Sequence, residues 1–165
     1  MSQLSPMCGS EPATVAQATF RRENVKDVWP EILPLFEQHW REIAHDLSIP
    51  LDPDYEFYVK ADEMGALRVF TAREAGALVG YCVYFVRPNP HYRKHVYAVQ
   101  DVLFIRKDRR GRFGLKFIDW CDMQLRGQGV NVVTQHVKEA HNFGPALARV
   151  LGYELVDHIY VRRLA

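Results

Sequence analysis

Apolar residues spaced by three and four positions predict helices in four parts of the chain. The longest begins after Asn24, a residue type that caps helices, and continues to Ile43. Pro30 and Pro34 lie inside it and would remove backbone donors, so this region is either two short helices or one kinked helix. Three further helices are predicted: a short one ended by Gly65, one over residues 113–129 and one over residues 142–151.

Runs of β-branched and aromatic residues predict six strands between these helices. They cover residues 18–23, 67–72, 78–86, 95–105, 130–137 and 153–163. The sequence Glu74-Ala75-Gly76 joins the second and third strands and predicts an antiparallel hairpin. A strand, a turn, a helix and another strand form a right-handed crossover, so strands 95–105 and 130–137 should be parallel neighbours. The order predicts an α/β fold with a central mixed, mostly antiparallel sheet flanked by helices.

The length of 165 residues fits one domain. Residues 1–16 mix Ser, Pro, Gly and Ala without apolar periodicity, which predicts a flexible leader before a domain of residues 17–165. The sequence contains no internal repeat and no low-complexity tract. An exposed final strand could pair with another subunit to form a homodimer.

Composition excludes several classes of protein. The formal net charge is +1, from 21 basic and 20 acidic side chains, so no global field favours nucleic acid or a membrane surface. The three cysteines, Cys8, Cys82 and Cys121, are far apart and odd in number, which argues against a disulfide framework or a zinc site and favours a reducing compartment. No stretch approaches the roughly 18 to 20 apolar residues of a membrane span, and we expect a cytoplasmic protein.

The stretch from Asp101 to Leu115 is the most informative for chemistry. A predicted strand passes through a turn rich in glycine and arginine directly into a helix, so free N–H groups at the helix start can face an anion. This pattern favours phosphate binding. A solvated basic turn would give the same residues.

Histidines and a basic loop supply further candidates. His136 and His141 could accept a proton near neutral pH, although a packed histidine and a helix-entry residue are the simpler explanations of the two. His91 and His95 lie in a proline-containing loop, so no metal site is expected. The same loop, residues 87–94, carries basic and aromatic side chains that could contact nucleic acid or border an acceptor groove.

Several segments resemble the GNAT acetyltransferases. R-R-G-R-F-G-L is similar to their pyrophosphate loop, Q/R-x-x-G-x-G/A, and NVVTQHVKEAHNFGPALARVLGY resembles the strand, turn, helix and terminal L-G-Y/F of their second half. With Gly80 and Tyr81 in the hairpin, the resemblance covers residues 18–163. Three sequence segments, QDVLF, HVKEAHNFG and LGYELVDHIY, resemble those of the GNAT-like proteins of bacteriophages and prophages in particular.

The resemblance implies an acetyl-CoA-dependent N-acetyltransferase that acts on a primary amine. The sequence does not distinguish among five classes of acceptor: a protein N-terminus, a lysine side chain, a polyamine, an aminoglycoside and a nucleobase. Substrate would contact Lys138 and His141. The residues implied to bind acetyl-CoA are Leu103, Phe104, Ile105, Arg109, Arg110, Gly111, Arg112, Phe113, Gly114, Leu115 and Asn142.

The sequence departs from the family at two places. In one register of the loop Arg112 replaces a glycine, and Ala148 stands where many members carry the tyrosine that protonates the CoA thiolate. Asp101 or His136 is then expected to deprotonate the amine, and Tyr160 is an outside candidate for the acid. The alternatives are a catalytically impaired GNAT-fold module that binds CoA or a protein and, ranked last, a protein that modifies or binds nucleic acid.

Overall fold

The computed structural model describes residues 18–164 and contains a five-stranded sheet in the order β1-β2-β3-β4-β5. β1 to β4 pair antiparallel, and β4 pairs with β5 in parallel. The mixed, mostly antiparallel sheet and the parallel crossover are therefore confirmed. The strands are β1 (Thr19–Glu23), β2 (Leu67–Glu74), β3 (Ala77–Pro88), β4 (Val96–Ile105) and β5 (Val132–Thr134).

Helices cover both faces of this sheet. They are α1 (Val25–Ile43), α2 (Tyr55–Glu63), α3 (Arg112–Gly127) and α4 (Gly144–Ala146), which continues as a π-helical turn, Leu147–Leu151. No helix among residues 18–164 is long and apolar enough to cross a membrane. The predicted leader, residues 1–16, lies outside the described residues.

Two hydrophobic layers result from the alternation of side chains along the central strands. Val69 and Tyr81 face α1 and α2, where Phe36 packs against them. The next residues along the same strands, Phe70 and Cys82, face α3 on the other side. Each strand thus contributes to both layers, and the sheet holds α1 and α3 on opposite faces.

The first long helix is continuous, although Pro30 and Pro34 lie within it. Its first N–H group is satisfied from outside the helix, since the backbone N–H of Val25 donates to Asp62 Oδ2 at 2.8 Å. Val28, Ile32 and Phe36 form its buried face, as the spacing predicts. The packing of this face therefore outweighs the two missing donors.

The predicted final strand at residues 153–163 is wrong. The backbone N–H of Tyr153 donates to Leu147 O, and its hydroxyl donates to the carboxylate of Asp122 on α3. Residues 154–164 form no strand and are exposed. Alternating apolar residues predict a strand, but a strand also needs a neighbouring strand to pair with. β5 is shorter than the predicted strand 130–137, so the sheet offers little edge for such pairing.

Candidate functional site

A cavity of about 1220 Å³ opens where β4 and β5 part. The two strands pair only from Tyr97–Val132 to Val99–Thr134, while β4 continues to Ile105. The cavity wall is formed by residues from the end of α1 and the following loop, β4, the start of α3 and the segment after β5. This position brings residues that are far apart in sequence into one site.

Asp101 lies at a β-bulge in this wall. Val83 pairs with Val102 and Tyr84 pairs with Gln100, so Asp101 is the extra residue on β4. A bulge interrupts the ladder and turns the local backbone. The Asp101 carboxylate lines the cavity and accepts a 2.7 Å hydrogen bond from the hydroxyl of Tyr58 on α2.

Burial raises the pKa of Tyr58, and the hydrogen bond to Asp101 raises it further. The phenol is therefore neutral and acts as a donor to the carboxylate. Among the described residues Tyr58 is the only tyrosine in the cavity wall.

Gln100 connects β4 to the segment that follows β5. Its side chain is buried, and its Oε1 accepts a 2.7 Å hydrogen bond from the backbone N–H of His136. A side-chain contact thus continues across the gap where backbone pairing between the two strands has ended. It holds the backbone of His136 beside β4, in the wall of the cavity.

His39 on α1 also lines the cavity. Its ring contacts Phe104 edge-on with centroids 5.5 Å apart, and the imidazole makes no hydrogen bond with any residue of the described range. Burial lowers the pKa of His39 to about 4; the negative charge of Glu42 opposes this shift, and the positive charge of Arg110 adds to it. His39 is therefore a neutral imidazole at neutral pH, available to a ligand.

The turn between β4 and α3 closes the other end of the cavity. Gly111 precedes α3 with φ +84°, a left-handed conformation that favours glycine, and a Cβ there would meet no atom within 4 Å. The first N–H groups of α3 have no acceptor within the helix. The positive end of the α3 helix dipole lies at the same place. Together with the free N–H groups, it favours the binding of an anion.

Arg110 is held beside this turn by two acceptors. Its Nε donates to the carbonyl of Ile105 at 2.9 Å, and its Nη2 donates to Glu42 Oε2 at 2.6 Å. Burial would raise the pKa of Glu42, but its hydrogen bond with Arg110 lowers it below the ordinary value. An arginine and a carboxylate thus meet where an anion would bind, and a bound phosphate would share Arg110 with Glu42.

The cavity brings together most of the residues predicted from the sequence. They are Asp101, Leu103, Phe104, Ile105, Arg110, Gly111, Gly114, Leu115, His136, Lys138, His141 and Asn142. Asn142 has a structural role as well, because its Oδ1 accepts a hydrogen bond from the backbone N–H of Gly144.

Four predicted residues lie outside the cavity wall. Arg109 forms an ion pair with Glu74, and Arg112 is exposed. Phe113, in the first turn of α3, is partly buried and packs against Phe20 with ring centroids 5.7 Å apart. Tyr160 is 91% exposed on the irregular C-terminal segment.

Sequence reasoning missed Tyr58, His39, Glu42 and Gln100 as residues of the site. Each of these residues lies in a predicted helix or strand. The apolar pattern of that element already accounts for its residues, so nothing in the pattern marks the four as functional. The signal for His39 was its position three residues after the core residue Phe36. That spacing places a polar ring on the buried face of α1.

The chain matches no protein-family model and no curated protein. Solved structures with the same fold are numerous. A ribosomal-protein-alanine N-acetyltransferase from Brucella melitensis is 18% identical, with a TM-score of 0.70 over 90% of this chain and 99% of that one. A GCN5-related N-acetyltransferase from Ralstonia eutropha is 16% identical, with a TM-score of 0.70 over 90% and 100%.

A predicted acetyltransferase from Clostridium acetobutylicum, solved with acetyl-CoA, is 11% identical, with a TM-score of 0.66 over 90% of this chain and 97% of that one. At sequence identities this low, the similarity shows the fold alone. The chain has the fold of the GCN5-related N-acetyltransferases.

Proposed function

We propose that this protein transfers an acetyl group from acetyl-CoA directly to a primary amine. The observation that carries the proposal is the single cavity that joins the start of α3 to the bulge residue Asp101. One end of this cavity offers donors for an anion, and the other offers a carboxylate beside the open side of β4.

The residues of the turn fit the phosphates of CoA. Gly111 leaves open space beside the helix start, and Arg110 supplies a cation at the same place. Gly114 lies one turn further, where an added Cβ would meet only Ile105 at an ordinary 3.7 Å. The binding of acetyl-CoA by the Clostridium neighbour supports the same ligand for this turn.

The chemistry needs one C–S bond to break and one C–N bond to form, and the nitrogen of the incoming ammonium loses two protons. One goes to the base before the attack, and the second, lost as the amide forms, balances the proton that the thiolate gains. Acetyl-CoA supplies the activated acyl group when it is bound. Asp101, oriented by the hydroxyl of Tyr58, or His136, held by Gln100, accepts the proton of the incoming ammonium. The site positions the amine and removes its proton, and no residue is acylated.

Protonation of the departing thiolate has fewer candidates. Ala148 is exposed outside the cavity wall, and Tyr160 lies on the irregular C-terminal segment. We assign this proton to Tyr58 or to solvent, since the Tyr58 hydroxyl is already in the cavity.

The proposal is tested by incubating the full chain with acetyl-CoA and a panel of amines while free thiol is measured. The panel contains peptides with a free N-terminal alanine, lysine peptides, a polyamine and an aminoglycoside. Enzymatic transfer requires thiol release that depends on the amine, and this release should fall in Asp101→Asn or in His136→Gln, according to which residue is the base. Its absence with every amine would contradict the proposal.

A second function is a module that binds CoA without transfer, and the absence of a tyrosine at Ala148 favours it. The two are separated by the melting temperature with and without CoA. A CoA-dependent rise without acetylation of any amine supports the binding module. A melting temperature unchanged by millimolar CoA and acetyl-CoA contradicts both functions.

A further inference from the structure

The connection from β3 to β4, residues 87–95, lies at the end of β4 opposite the start of α3. It carries three cations, Arg87, Arg93 and Lys94, and no carboxylate. The next acidic residue along the chain is Asp101. All three cations are exposed, and none forms an ion pair within the part of the chain that the structure describes. Since the whole chain has a formal net charge of only +1, this positive charge is a local feature of the surface.

Hydrogen bonds within this loop order its backbone. Asn89 Oδ1 accepts from the backbone N–H groups of His91 at 2.8 Å and Tyr92 at 3.2 Å. The backbone N–H of Asn89 donates to His95 O at 3.0 Å, and that of His95 donates to Tyr92 O at 2.8 Å. An ordered backbone loses little conformational entropy when a ligand binds. The loop is therefore suited to binding a ligand through its exposed side chains.

Arg68 adds a fourth positive charge at the same end of the sheet. Its guanidinium donates to the carbonyl oxygen of Gly65 and to two further neutral oxygens. Gly65 lies beside the end of β3, because the carbonyl of the following residue accepts a 2.8 Å hydrogen bond from the N–H of Val86. The two carboxylates at the end of α2 are engaged elsewhere: Asp62 accepts from the first N–H of α1, and Glu63 pairs with a lysine of that helix. The positive charge of Arg68 therefore adds to that of the loop.

Tyr92 supplies an aromatic ring among these cations. It is 60% exposed, and its ring contacts no other aromatic ring of the described residues. Proteins hold single-stranded nucleic acid by this combination, in which cations bind phosphates and an aromatic ring stacks on a base. An acidic peptide would use the cations and leave the ring unused. A membrane surface would require side chains such as Leu, Phe or Trp, which residues 87–95 lack.

We propose that residues 87–95 bind single-stranded nucleic acid, with the three cations of the loop on phosphates and Tyr92 stacked on an unpaired base. Arg68 strengthens the attraction at longer range. The loop ends six residues before Asp101, about 20 Å along the extended β4, so this surface is separate from that part of the cavity. The inference does not depend on the proposed acetyl transfer.

Fluorescence anisotropy of a labelled oligouridine, titrated with the full chain at a series of salt concentrations, tests the phosphate contacts. Three such contacts predict that log Kd rises with the logarithm of the salt concentration with a slope of about 2. The double variant Arg93→Gln, Lys94→Gln should lower this slope to about 0.7. The control is Arg21→Gln, Lys116→Gln, which removes two exposed cations of β1 and α3 and should keep the wild-type slope. Equal losses in the two double variants would overturn the proposal, because the attraction would then not be local to the loop.

Tyr92→Ala tests the stacking in the same assay at constant salt. It should weaken binding roughly tenfold to a hundredfold, whereas Tyr92→Phe keeps the ring and should bind like the wild type. Both variants should keep the wild-type melting temperature, since the side chain is exposed. An oligothymidine in place of the oligouridine shows whether the strand is DNA or RNA, and binding of either one supports the proposal. It would be overturned if neither bound at low salt, or if polyglutamate or phosphatidylserine vesicles displaced the oligouridine as well as unlabelled oligouridine does.

Discussion

The hydroxyl of Tyr58 on α2 donates a 2.7 Å hydrogen bond to Asp101 at the bulge of β4, across 43 positions of sequence. This contact ties α2 to the strand that forms the cavity wall. Its acceptor is the carboxylate that we propose, together with His136, as a candidate for the base. The pair therefore determines where that carboxylate points when an amine enters.

Tyr58→Phe removes this hydrogen bond and keeps the ring. Hydrogen bonds to charged groups contribute about 1.5–3 kcal/mol, so we expect kcat/KM for acetyl transfer to fall roughly tenfold to a hundredfold. The rise in melting temperature with CoA should persist. Tyr55→Phe on the same helix is the control, since the Tyr55 ring packs against Trp29. An unchanged rate in Tyr58→Phe would show that Asp101 needs no orientation.

Gly111→Asp should abolish CoA binding. It places a carboxylate beside the free N–H groups of α3, where it would repel phosphates. Gly65→Asp is a matched control, because Gly65 also has a positive φ, +69°, and open space around its Cβ position. Both variants carry the same kind of backbone strain, but only Gly111→Asp should lose the CoA-dependent shift in melting temperature. Equal shifts in both would move the phosphate site away from this turn.

The order of strands and helices up to residue 134 was predictable because each element has a face buried against the sheet. The turn at Gly111 was predictable for the same reason, since it lies between two such elements. The Tyr58–Asp101 contact was not, because the position of a bulge depends on the pairing register of two strands and leaves no mark in the spacing of apolar residues. The prediction of the final strand was wrong because alternating apolar and polar residues indicate a strand with one buried face but do not show which strand it would pair with.

Gly80→Ala should lower the free energy of unfolding. An added Cβ would lie 2.7 Å from Ile105 Cδ1 and 3.0 Å from the carbonyl oxygen of Phe104, and the second of these is backbone that cannot move aside. Overpacking of this kind costs about 1–3 kcal/mol. Gly127→Ala at the end of α3 is the control, because a Cβ there meets nothing within 4 Å, and chemical denaturation of both variants measures the difference. A Gly80→Ala variant as stable as the wild type would mean that β4 shifts freely against β3.

His39 should make the fold more stable as pH rises from about 4 to about 6.5. Burial lowers its pKa to about 4 in the folded chain, whereas an unfolded histidine titrates near 6.5. The unfolded state therefore binds more protons in this window, and stability increases with pH there. His39→Gln should remove this rise, measured as melting temperature against pH, and His95→Gln in an exposed loop should keep it. A wild-type curve that matches that of His39→Gln would contradict the lowered pKa.

Asp122 should act in the opposite direction over nearly the same window. Burial is the main cause that raises its pKa to about 6, although the hydrogen bond from Tyr153 opposes the rise. An unfolded aspartate titrates near 3.9, so the folded state binds more protons between about pH 4 and 6, and the contribution of Asp122 to stability falls as pH rises through that range.

Asp122→Asn removes this titration and keeps an oxygen that can accept from Tyr153. The variant should gain in melting temperature relative to the wild type as pH rises from 4 to 6. Asp119→Asn, an exposed change on the same helix, should show no such gain. A difference between wild type and Asp122→Asn that stays flat from pH 4 to 7 would show that this carboxyl titrates alike in the folded and the unfolded chain.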